Sequence, residues 1–310
     1  MAWKANVLTH GYCMDGLVSA ALFTRLLSTL SPRSDRIFAY RSCGYGPKLK
    51  TVPKPWLAAQ ENAILDFRYA EDDRLTWYFD HHKTAFSAES ERRTAEDRVA
   101  GSGGRRRLHY DPACTSCARL IAQVSAEVYG VALEGLEELV DWADRVDSAR
   151  FDDPEDAFFA RAPALILADV VERHGDTAFL GRMIPQLLER PVDELASTGE
   201  IAELTKPLAA AKEVFLKTLR SAGQLRGDIA VVDLAEGTPT PAGKFATYVA
   251  FPTCRYSVVL LRTKEQLKLG VGYNPWSGKE RLHDIAAICQ REGGGGHSVV
   301  GGVADRKSVV

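Results

Sequence analysis

The sequence predicts an α/β fold: an N-terminal parallel-sheet domain with flanking helices, a helical connector and a smaller C-terminal α/β domain. Strand and helix signals alternate over about the first 80 residues. Helical periodicity dominates from 114 to about 219, and strand signals return after 227. We therefore predict domains at residues 1–205 and 227–310, with a helical linker at 206–226.

The N-terminal elements follow one another in a strand-then-helix order. Leucines recur with helical spacing after Asp15, and Ser31 with the proline that follows it ends this helix. Strands that alternate with helices favour a parallel sheet covered on both faces. The strands are predicted from short apolar runs at residues 5–8, 37–40, 63–65 and 76–79.

Two later regions complete the prediction. Residues 89–107 are charged and end in a glycine- and arginine-rich stretch at 101–107. They are interpreted either as a solvated loop or as a mobile basic flap over a phosphate site. In the last domain the pattern predicts strands at 229–232, 256–261, 267–271 and 298–300 and a helix at 282–291.

Composition excludes several classes of protein. The chain has 310 residues, of which 45% are hydrophobic and 26% charged, enough for a core without structural staples. Lys and Arg number 39 against 41 Asp and Glu, a net charge of −2 that leaves no large basic face for a polyanion. Six cysteines are too few for a disulfide framework. Without a secretory or membrane-length apolar segment, we expect a soluble, cytoplasmic protein.

Ionisable residues follow three of the predicted strands. His10 follows the first, Asp66 the third, and Asp80, His81 and His82 the fourth. Ligands of open parallel sheets bind at the carboxyl ends of the strands, so these residues should converge. A shared metal ion would offset the cost of burying them together. Mixed imidazole and carboxylate ligands suit Mn²⁺, Fe²⁺ or Zn²⁺ better than Ca²⁺.

At these residues the chain resembles the DHH phosphoesterase superfamily. Its first motif is similar to residues 9–16 (THGYCMDG), its second to 64–66 (ILD) and its name-giving third to 79–82 (FDHH). Residues 293–297 (GGGGH) look like the glycine-rich signature of the accessory, DHHA1-type domain found in this family. The ordered set spans residues 9 to 301, almost the whole chain.

The resemblance implies a centre of two metal ions, usually Mn²⁺, and a water that attacks phosphorus. Asp66 would bridge the ions. Asp15 and His81 would bind one ion together with a downstream aspartate, and His10 would bind the other. The downstream aspartate is assigned to Asp147.

The choice of Asp147 rests on its sequence context. Asp147 begins the segment DSARF, which resembles the family's Asp-Thr-Gly-x-Phe spacing, and Asp144 is the second candidate. Of the remaining motif residues, the resemblance implies that His82 contacts the scissile phosphate. Asp80 would act behind it by orienting a neighbouring histidine.

Cys13 departs from the family pattern, which reads His-x-Asp-x-Asp-Gly. Cys13 stands where the first aspartate is expected, and the spacing from His10 to Asp15 is one residue longer. As a ligand, a thiolate is softer than a carboxylate and favours Zn²⁺ or Fe²⁺ over Mn²⁺. Alternatively, Cys13 is an unligated thiol in the wall of the site.

The glycine run near the C-terminus also has two interpretations. Gly294, Gly295 and Gly296 form either a flexible turn or a substrate-binding loop whose backbone N–H groups approach an oxyanion. In the second interpretation His297 adds a donor. Trp276 either stacks on a base or packs in the core.

These features predict a metal-dependent phosphoesterase acting on nucleotides or short oligonucleotides. Within the same class, an inorganic pyrophosphatase or polyphosphatase is the alternative. Outside it, the alternative is a non-catalytic nucleotide or RNA sensor with a degenerate metal site. A homodimer is left open, and no membrane partner is expected.

Overall fold

A computed structural model describes residues 2–44, 51–236, 245–262 and 267–305, except for the side chains of residues 297, 304 and 305. The strands are β1 (Trp3–His10), β2 (Arg36–Cys43), β3 (Glu61–Leu65), β4 (Trp77–Asp80), β5 (Arg107–Tyr110), β6 (Gly223–Arg226), β7 (Ile229–Leu234), β8 (Tyr256–Arg262), β9 (Leu267–Tyr273), β10 (Gly295–His297) and β11 (Val300–Asp305). The helices are α1 (Met14–Leu30), α2 (Glu89–Ala100), α3 (Cys117–Glu127), α4 (Glu137–Asp147), α5 (Pro154–Phe159), α6 (Pro163–His174), α7 (Thr177–Leu187), α8 (Val192–Ala196), α9 (Gly199–Ala222), α10 (Ala246–Ala250) and α11 (Ile285–Arg291).

The first five strands form one sheet in the order β2-β1-β3-β4-β5. Every neighbouring pair in it is parallel. The carboxyl ends of all five strands therefore lie at the same edge. The four predicted strands are confirmed and so is their parallel arrangement, whereas β5 was not predicted from the sequence.

Helices cover both faces of this sheet. Phe23 of α1 packs edge-to-face on Trp77, with ring centroids 5.5 Å apart. Tyr78 belongs instead to a buried cluster that contains Ala95 of α2. Because successive side chains of a strand point to opposite faces, α1 and α2 lie on opposite sides of β4. The prediction of a doubly covered parallel sheet is confirmed.

The prediction of a loop over residues 89–107 is wrong for most of that segment. Its first twelve residues form α2. Charge with helical spacing explains this, because Arg92 pairs with Glu89 three residues before it at 2.6 Å. In the turn that follows, Arg106 pairs with Asp73 at 2.7 Å. The flap over a phosphate site remains a prediction.

The remaining strands form a second, mixed sheet in the order β10-β11-β9-β8-β7-β6. β7 and β8 are parallel, and the other neighbours are antiparallel. Val259 packs against a cluster that contains Phe215 of α9. Val271 packs against Ile285 of α11 in a separate cluster. Helices thus cover both faces here too, which confirms the α/β class of the C-terminal region.

The glycine-rich end of this sheet differs from the predicted strand at 298–300. The structure has two short strands, β10 and β11, joined by a turn at residues 298–299. A Cβ added at Gly296, where φ is +150°, would lie 2.3 Å from the carbonyl oxygen of Val300. A Cβ at Gly294 would lie 2.1 Å from the carbonyl oxygen of Gly302. These two glycines therefore allow close backbone approach rather than a flexible turn.

The chain divides into two compact units. One contains Met1–Arg150 and Pro163–Ala202, and the other contains Phe151–Ala162 and Glu203–Val310. α9 contributes residues to both units. The predicted linker at 206–226 contains most of α9 and all of β6. The predicted functional domains stay a prediction, since compactness alone does not assign function.

Two further observations concern the whole described chain. None of the described helices combines the length and the apolar character needed to cross a membrane. All six cysteines lie in the described ranges, and all are free thiols.

The close approach of α1 to β1 can be tested at Gly16. A Cβ there would lie 2.0 Å from the carbonyl oxygen of His10. We expect Gly16→Ala to lower the free energy of unfolding by about 1–3 kcal/mol, because the backbone must shift. Gly181 in α7 is the matched control, since a Cβ there meets nothing within 4 Å. Gly181→Ala should raise the free energy by about 0.5–1 kcal/mol in the same urea titration. Equal effects in the two variants would contradict the close approach.

Candidate metal centre

The ends of three adjacent strands carry the predicted ligands. His10 is the last residue of β1, Asp66 directly follows β3, and Asp80 ends β4. β3 lies between β1 and β4 in the sheet. The structure therefore brings together side chains from positions 10, 66 and 80–82, as the strand pattern predicts.

Asp66 lies at the middle of this arrangement. Its φ is +54°, a left-handed conformation that is strained outside glycine, and its N–H donates to the carbonyl of Phe79 at 2.9 Å. Both carboxylate oxygens are buried and accept no hydrogen bond from the described residues. His81 Nε2 is 3.6 Å from Oδ1, and His10 Nδ1 is 3.5 Å from Oδ2. The carboxylate thus faces an imidazole on either side.

Among the residues that the structure describes, three groups of side chains have ligand atoms within 4.8 Å of one another. Asp66 belongs to two of these groups, and so does His81. A carboxylate shared between neighbouring groups can bridge two cations, whereas a single group would hold one. The groups are His10–Cys13–Asp66, Asp66–His81–His82 and Asp15–His81–Asp147.

The orientation of His81 is fixed by a backbone carbonyl. His81 Nδ1 is 3.1 Å from the carbonyl oxygen of Cys114, so Nδ1 carries a hydrogen and donates it. Nε2 is thereby directed at the carboxylates, 3.4 Å from Asp147 Oδ2 and 3.8 Å from Asp15 Oδ2. The sequence does not indicate Cys114 as the partner of His81, because a residue of any type can supply a backbone carbonyl.

Asp15 is held by the start of α3. It accepts hydrogen bonds from the backbone N–H groups of Cys117 at 2.7 Å and Ala118 at 2.8 Å. The N-terminus of a helix attracts a negative charge, so this contact stabilises the carboxylate in a fully buried position. The start of α3 is a second contribution that sequence reasoning did not assign to the site.

Asp80 lies behind the two histidines. Its Oδ1 accepts hydrogen bonds from the backbone N–H groups of His81 and His82 and from His82 Nδ1, the last at 2.8 Å. Its Oδ2 accepts a hydrogen bond from the Tyr78 hydroxyl at 2.9 Å. With Nδ1 donating to Asp80, the other ring nitrogen of His82 is left to interact elsewhere. The predicted orienting contact is therefore present in the structure.

The two candidate downstream aspartates have different surroundings. Asp147 lies beside His81 and belongs to a potential ligand group. Asp144 instead accepts hydrogen bonds from the hydroxyls of Thr115 and Ser116 and pairs with Arg150. The geometry therefore favours Asp147 as the ligand, in agreement with the sequence-based preference.

A left-handed turn compensates for the extra residue before Cys13. Tyr12 has a φ of +57°, and the N–H of Gly11 donates to the carbonyl of Cys43 at 2.7 Å. This turn returns the chain so that the Cys13 thiol joins His10 and Asp66. Of the two interpretations of Cys13, the geometry is compatible with a ligand.

The charges of the site do not balance without a cation. Burial and the neighbouring Asp66 raise the pKa of Asp15 well above its usual value, and burial and the same carboxylates raise the pKa of the Cys13 thiol. Burial lowers the pKa of His81, but Asp66, Asp15 and Asp147 together raise it to about 10. A divalent ion beside these groups would favour their deprotonated forms. Imidazole, carboxylate and thiolate donors fit Mn²⁺, Fe²⁺ or Zn²⁺.

In the second unit, the predicted substrate residues lie on or beside β10. Gly294 precedes the strand, and Gly295 and Gly296 lie in it. The side chain of His297 is outside the part of the structure that is described. Trp276 donates its indole N–H to the carbonyl of Phe151 at 2.8 Å and lies against Phe245. These contacts assign Trp276 to packing.

Comparisons with known proteins concern the fold of the whole chain. No protein-family model matches the chain, and no curated protein sequence does. It is similar to the structure of the pGpG-specific phosphodiesterase PggH from Vibrio cholerae, with a TM-score of 0.66 and 18% identity over 98% of this chain and 94% of that one. An exopolyphosphatase-related protein from Bacteroides fragilis gives a TM-score of 0.51 and 11% identity over 97% and 86%.

RecJ from Thermus thermophilus, solved in complex with Mn²⁺, gives a TM-score of 0.56 and 14% identity over 99% of this chain and 50% of that one. These three proteins are members of the DHH superfamily. At such identities the likeness shows the fold alone. The chain has the DHH-type fold, as its motifs predict.

The protonation of His81 leads to a testable pH dependence. Its Nε2 must lose the proton before it can bind a metal, and in the metal-free protein the pKa is about 10. Mn²⁺ binding should therefore release protons, and affinity should rise with pH up to about 10. Calorimetric titrations in buffers of different ionisation enthalpy at about pH 6 and pH 8 would count the protons. Binding without proton release would contradict this electrostatic account.

Proposed function

We propose that the protein is a metal-dependent phosphoesterase that hydrolyses phosphate esters of nucleotides or short oligonucleotides. The observation that carries the proposal is the Asp66 carboxylate. It is fully buried, accepts no hydrogen bond from the described residues, and is shared between two groups of potential ligands. A buried charge of this kind is costly without a counter-charge. Two bridged cations would supply that charge.

The proposed ligand sets follow the groups in the structure. Asp15, His81 and Asp147 form one group and would hold one ion, and His10, Cys13 and Asp66 form another and would hold the second. Asp66 Oδ1 lies 3.6 Å from His81 Nε2, so this carboxylate would be shared with the first ion. When bound, such ions lower the pKa of a water and neutralise charge that develops at phosphorus. Mn²⁺ is the proposed ion, with Fe²⁺ or Zn²⁺ as alternatives because of Cys13.

His82 is proposed to contact the scissile phosphate. Burial lowers its pKa, but the hydrogen bond to Asp80 and the charge of Asp66 raise it above the usual value. A protonated imidazole with Nδ1 donating to Asp80 has its other N–H available to a phosphate oxygen. Asp80 thereby keeps the proton on Nδ1 and sets the direction of the ring.

The substrate class is proposed from fold relatives and from charge. One relative is described as specific for pGpG, and others are RecJ exonucleases. A net charge of −2 disfavours a long nucleic acid, which needs many phosphate contacts. We propose that residues 227–310 form a DHHA1-type domain in which Gly294, Gly295, Gly296 and His297 bind the substrate. The exopolyphosphatase-related relative keeps inorganic pyrophosphate or polyphosphate as the second candidate.

The compartment and the oligomeric state are also proposals. The six free thiols are consistent with a reducing compartment, and we propose the cytoplasm. A homodimer stays a prediction. A sensor without catalytic activity is the alternative function if the centre binds metal but hydrolyses nothing.

One assay tests the function. Metal-stripped protein is supplied with Mn²⁺, Mg²⁺, Fe²⁺ or Zn²⁺ and offered pGpG, other dinucleotides, short oligonucleotides, a 3′,5′-bisphosphonucleoside, cyclic dinucleotides and pyrophosphate. Selective turnover of one nucleotide class would support the proposal. Turnover of pyrophosphate alone would support the second candidate. No turnover with any pair, despite tight metal binding, would favour the sensor.

The metal assignment is tested by Asp66→Asn. We expect loss of hydrolysis by at least about 100-fold, because the shared carboxylate would lose its charge and its bridging capacity. A cooperative unfolding transition in the metal-free variant would show that the loss of hydrolysis is not a loss of fold. Asp141→Asn, which alters an exposed carboxylate on α4, is the control. Full turnover in Asp66→Asn would refute the assignment.

The thiol is tested by Cys13→Asp. If Cys13 is a ligand, replacing soft sulfur with hard oxygen should shift the metal preference of the site at His10 and Cys13 from Zn²⁺ or Fe²⁺ toward Mn²⁺. The measurement is the ratio of Mn²⁺ to Zn²⁺ affinities in competition titrations, with Cys43→Ser as a control because that thiol lies in a buried apolar cluster. An unchanged ratio would show that Cys13 is only part of the wall.

A further inference from the structure

Asp144 is nearly buried but belongs to none of the potential ligand groups. Only 3% of the residue is exposed. Its Oδ1 accepts hydrogen bonds from the hydroxyls of Thr115 and of Ser116, the latter at 3.1 Å. Its Oδ2 pairs with Arg150 and lies 3.5 Å from Arg119. One carboxylate thus connects α4 to the segment that begins α3.

Backbone groups of that segment, residues 114–118, also position the side chains of two proposed ligands, His81 and Asp15. The carbonyl oxygen of Cys114 fixes the tautomer of His81. The N–H groups at positions 117 and 118 hold the carboxylate of Asp15. Asp144 contacts the two residues between these points. A change in its contacts would therefore act on both ligands through the backbone.

Asp144 also stabilises the end of the helix that carries the third ligand. Asp147 is one turn further along α4. The carbonyl of Asp144 accepts the Ser148 N–H at 3.1 Å and also the Ser148 hydroxyl. Arg150, which pairs with the Asp144 carboxylate, donates its Nε–H to the Ser148 hydroxyl at 2.8 Å. The chain on either side of Asp147 is thereby tied to Asp144.

We propose that Asp144 is a positioning residue for the metal ion held by Asp15, His81 and Asp147. The inference rests on the proposed metal centre, and it adds a selectivity that the centre alone does not predict. The contacts of Asp144 reach His81 and Asp15 through the segment that begins α3, and they reach Asp147 through α4. His10, Cys13 and Asp66 lie on β1, in the turn before α1 and after β3. Loss of the Asp144 carboxylate should weaken binding of the ion beside Asp147 and leave binding of the ion beside Cys13 unchanged.

The test compares Asp144→Asn with Asp141→Asn. Asparagine keeps an oxygen for both hydroxyls but loses the charge that pairs with two arginines. Asp141 is the matched control, since it lies on the same helix and pairs with Arg119 at 2.6 Å, but its side chain is 71% exposed. Each metal-free variant is titrated with Co²⁺. Equilibrium dialysis counts the total ions bound, and the charge-transfer absorption of a cobalt–thiolate bond reports the ion beside Cys13.

We expect Asp144→Asn to bind one Co²⁺ about 10–100-fold more weakly than the wild type, the usual effect of losing an outer contact of a metal ligand. The thiolate band should saturate at an unchanged Co²⁺ concentration. Asp141→Asn should bind both ions as the wild type does. A defect that is merely structural would weaken both ions, so equal losses at both sites would overturn the inference. Unchanged affinities in Asp144→Asn, or the same loss in Asp141→Asn, would also overturn it.

A second, milder variant covers the case in which Asp144→Asn does not fold. Thr115→Val removes one of the two hydroxyl donors at an exposed position and leaves the charge of Asp144 in place. We expect a smaller loss of affinity for the same ion, with no change in the thiolate band. A wild-type protein that binds fewer than two ions would overturn the proposed centre together with this inference. Two ions in the wild type and in every variant, with equal affinity, would overturn the inference alone.

Discussion

The buried charge of Asp66 is the constraint on which the arrangement of the first unit depends. A fully buried carboxylate is costly without positive charge nearby, and the strand ends place the imidazoles of His10 and His81 on either side of this one. Only a parallel sheet with β3 between β1 and β4 brings these three residues to one edge. The left-handed backbone at Asp66 then aims the carboxylate between the two rings. The sheet order, the left-handed backbone and the neighbouring imidazoles therefore all bear on where the Asp66 carboxylate lies.

Support for the ligands comes mainly from backbone groups and from one polar cluster behind them. His81 is oriented by a carbonyl, Asp15 by the amides at the start of α3, and His82 by Asp80. Because a hydrogen bond fixes each of these side chains, little side-chain entropy remains to be lost when they bind. The contacts of Asp144 extend this support from α3 to α4.

The residues that face the centre were predictable from the sequence, because strand ends in a parallel sheet meet at one edge. The strands and the parallel arrangement were predicted for the same reason. The outer contacts were not predictable, since the carbonyl of Cys114 and the amides of α3 could belong to any residue type. α2 was missed because its hydrophilic composition hides ion pairs of helical spacing. β5 was missed because its residues, Arg107–Tyr110, are only half-buried and form no apolar run.

The order of the ligands along the chain has a consequence for synthesis. The proposed ligands begin at His10 and end at Asp147, and they come from four separate segments. A nascent chain that has emerged only as far as His82, just past β4, already carries His10, Cys13, Asp66 and His81, but it lacks α3 and α4. The proposed ligands of the ion beside Cys13 are then complete, whereas those of the other ion are not. The two positions therefore become available at different times during translation, and the position that includes Asp147 is the later one.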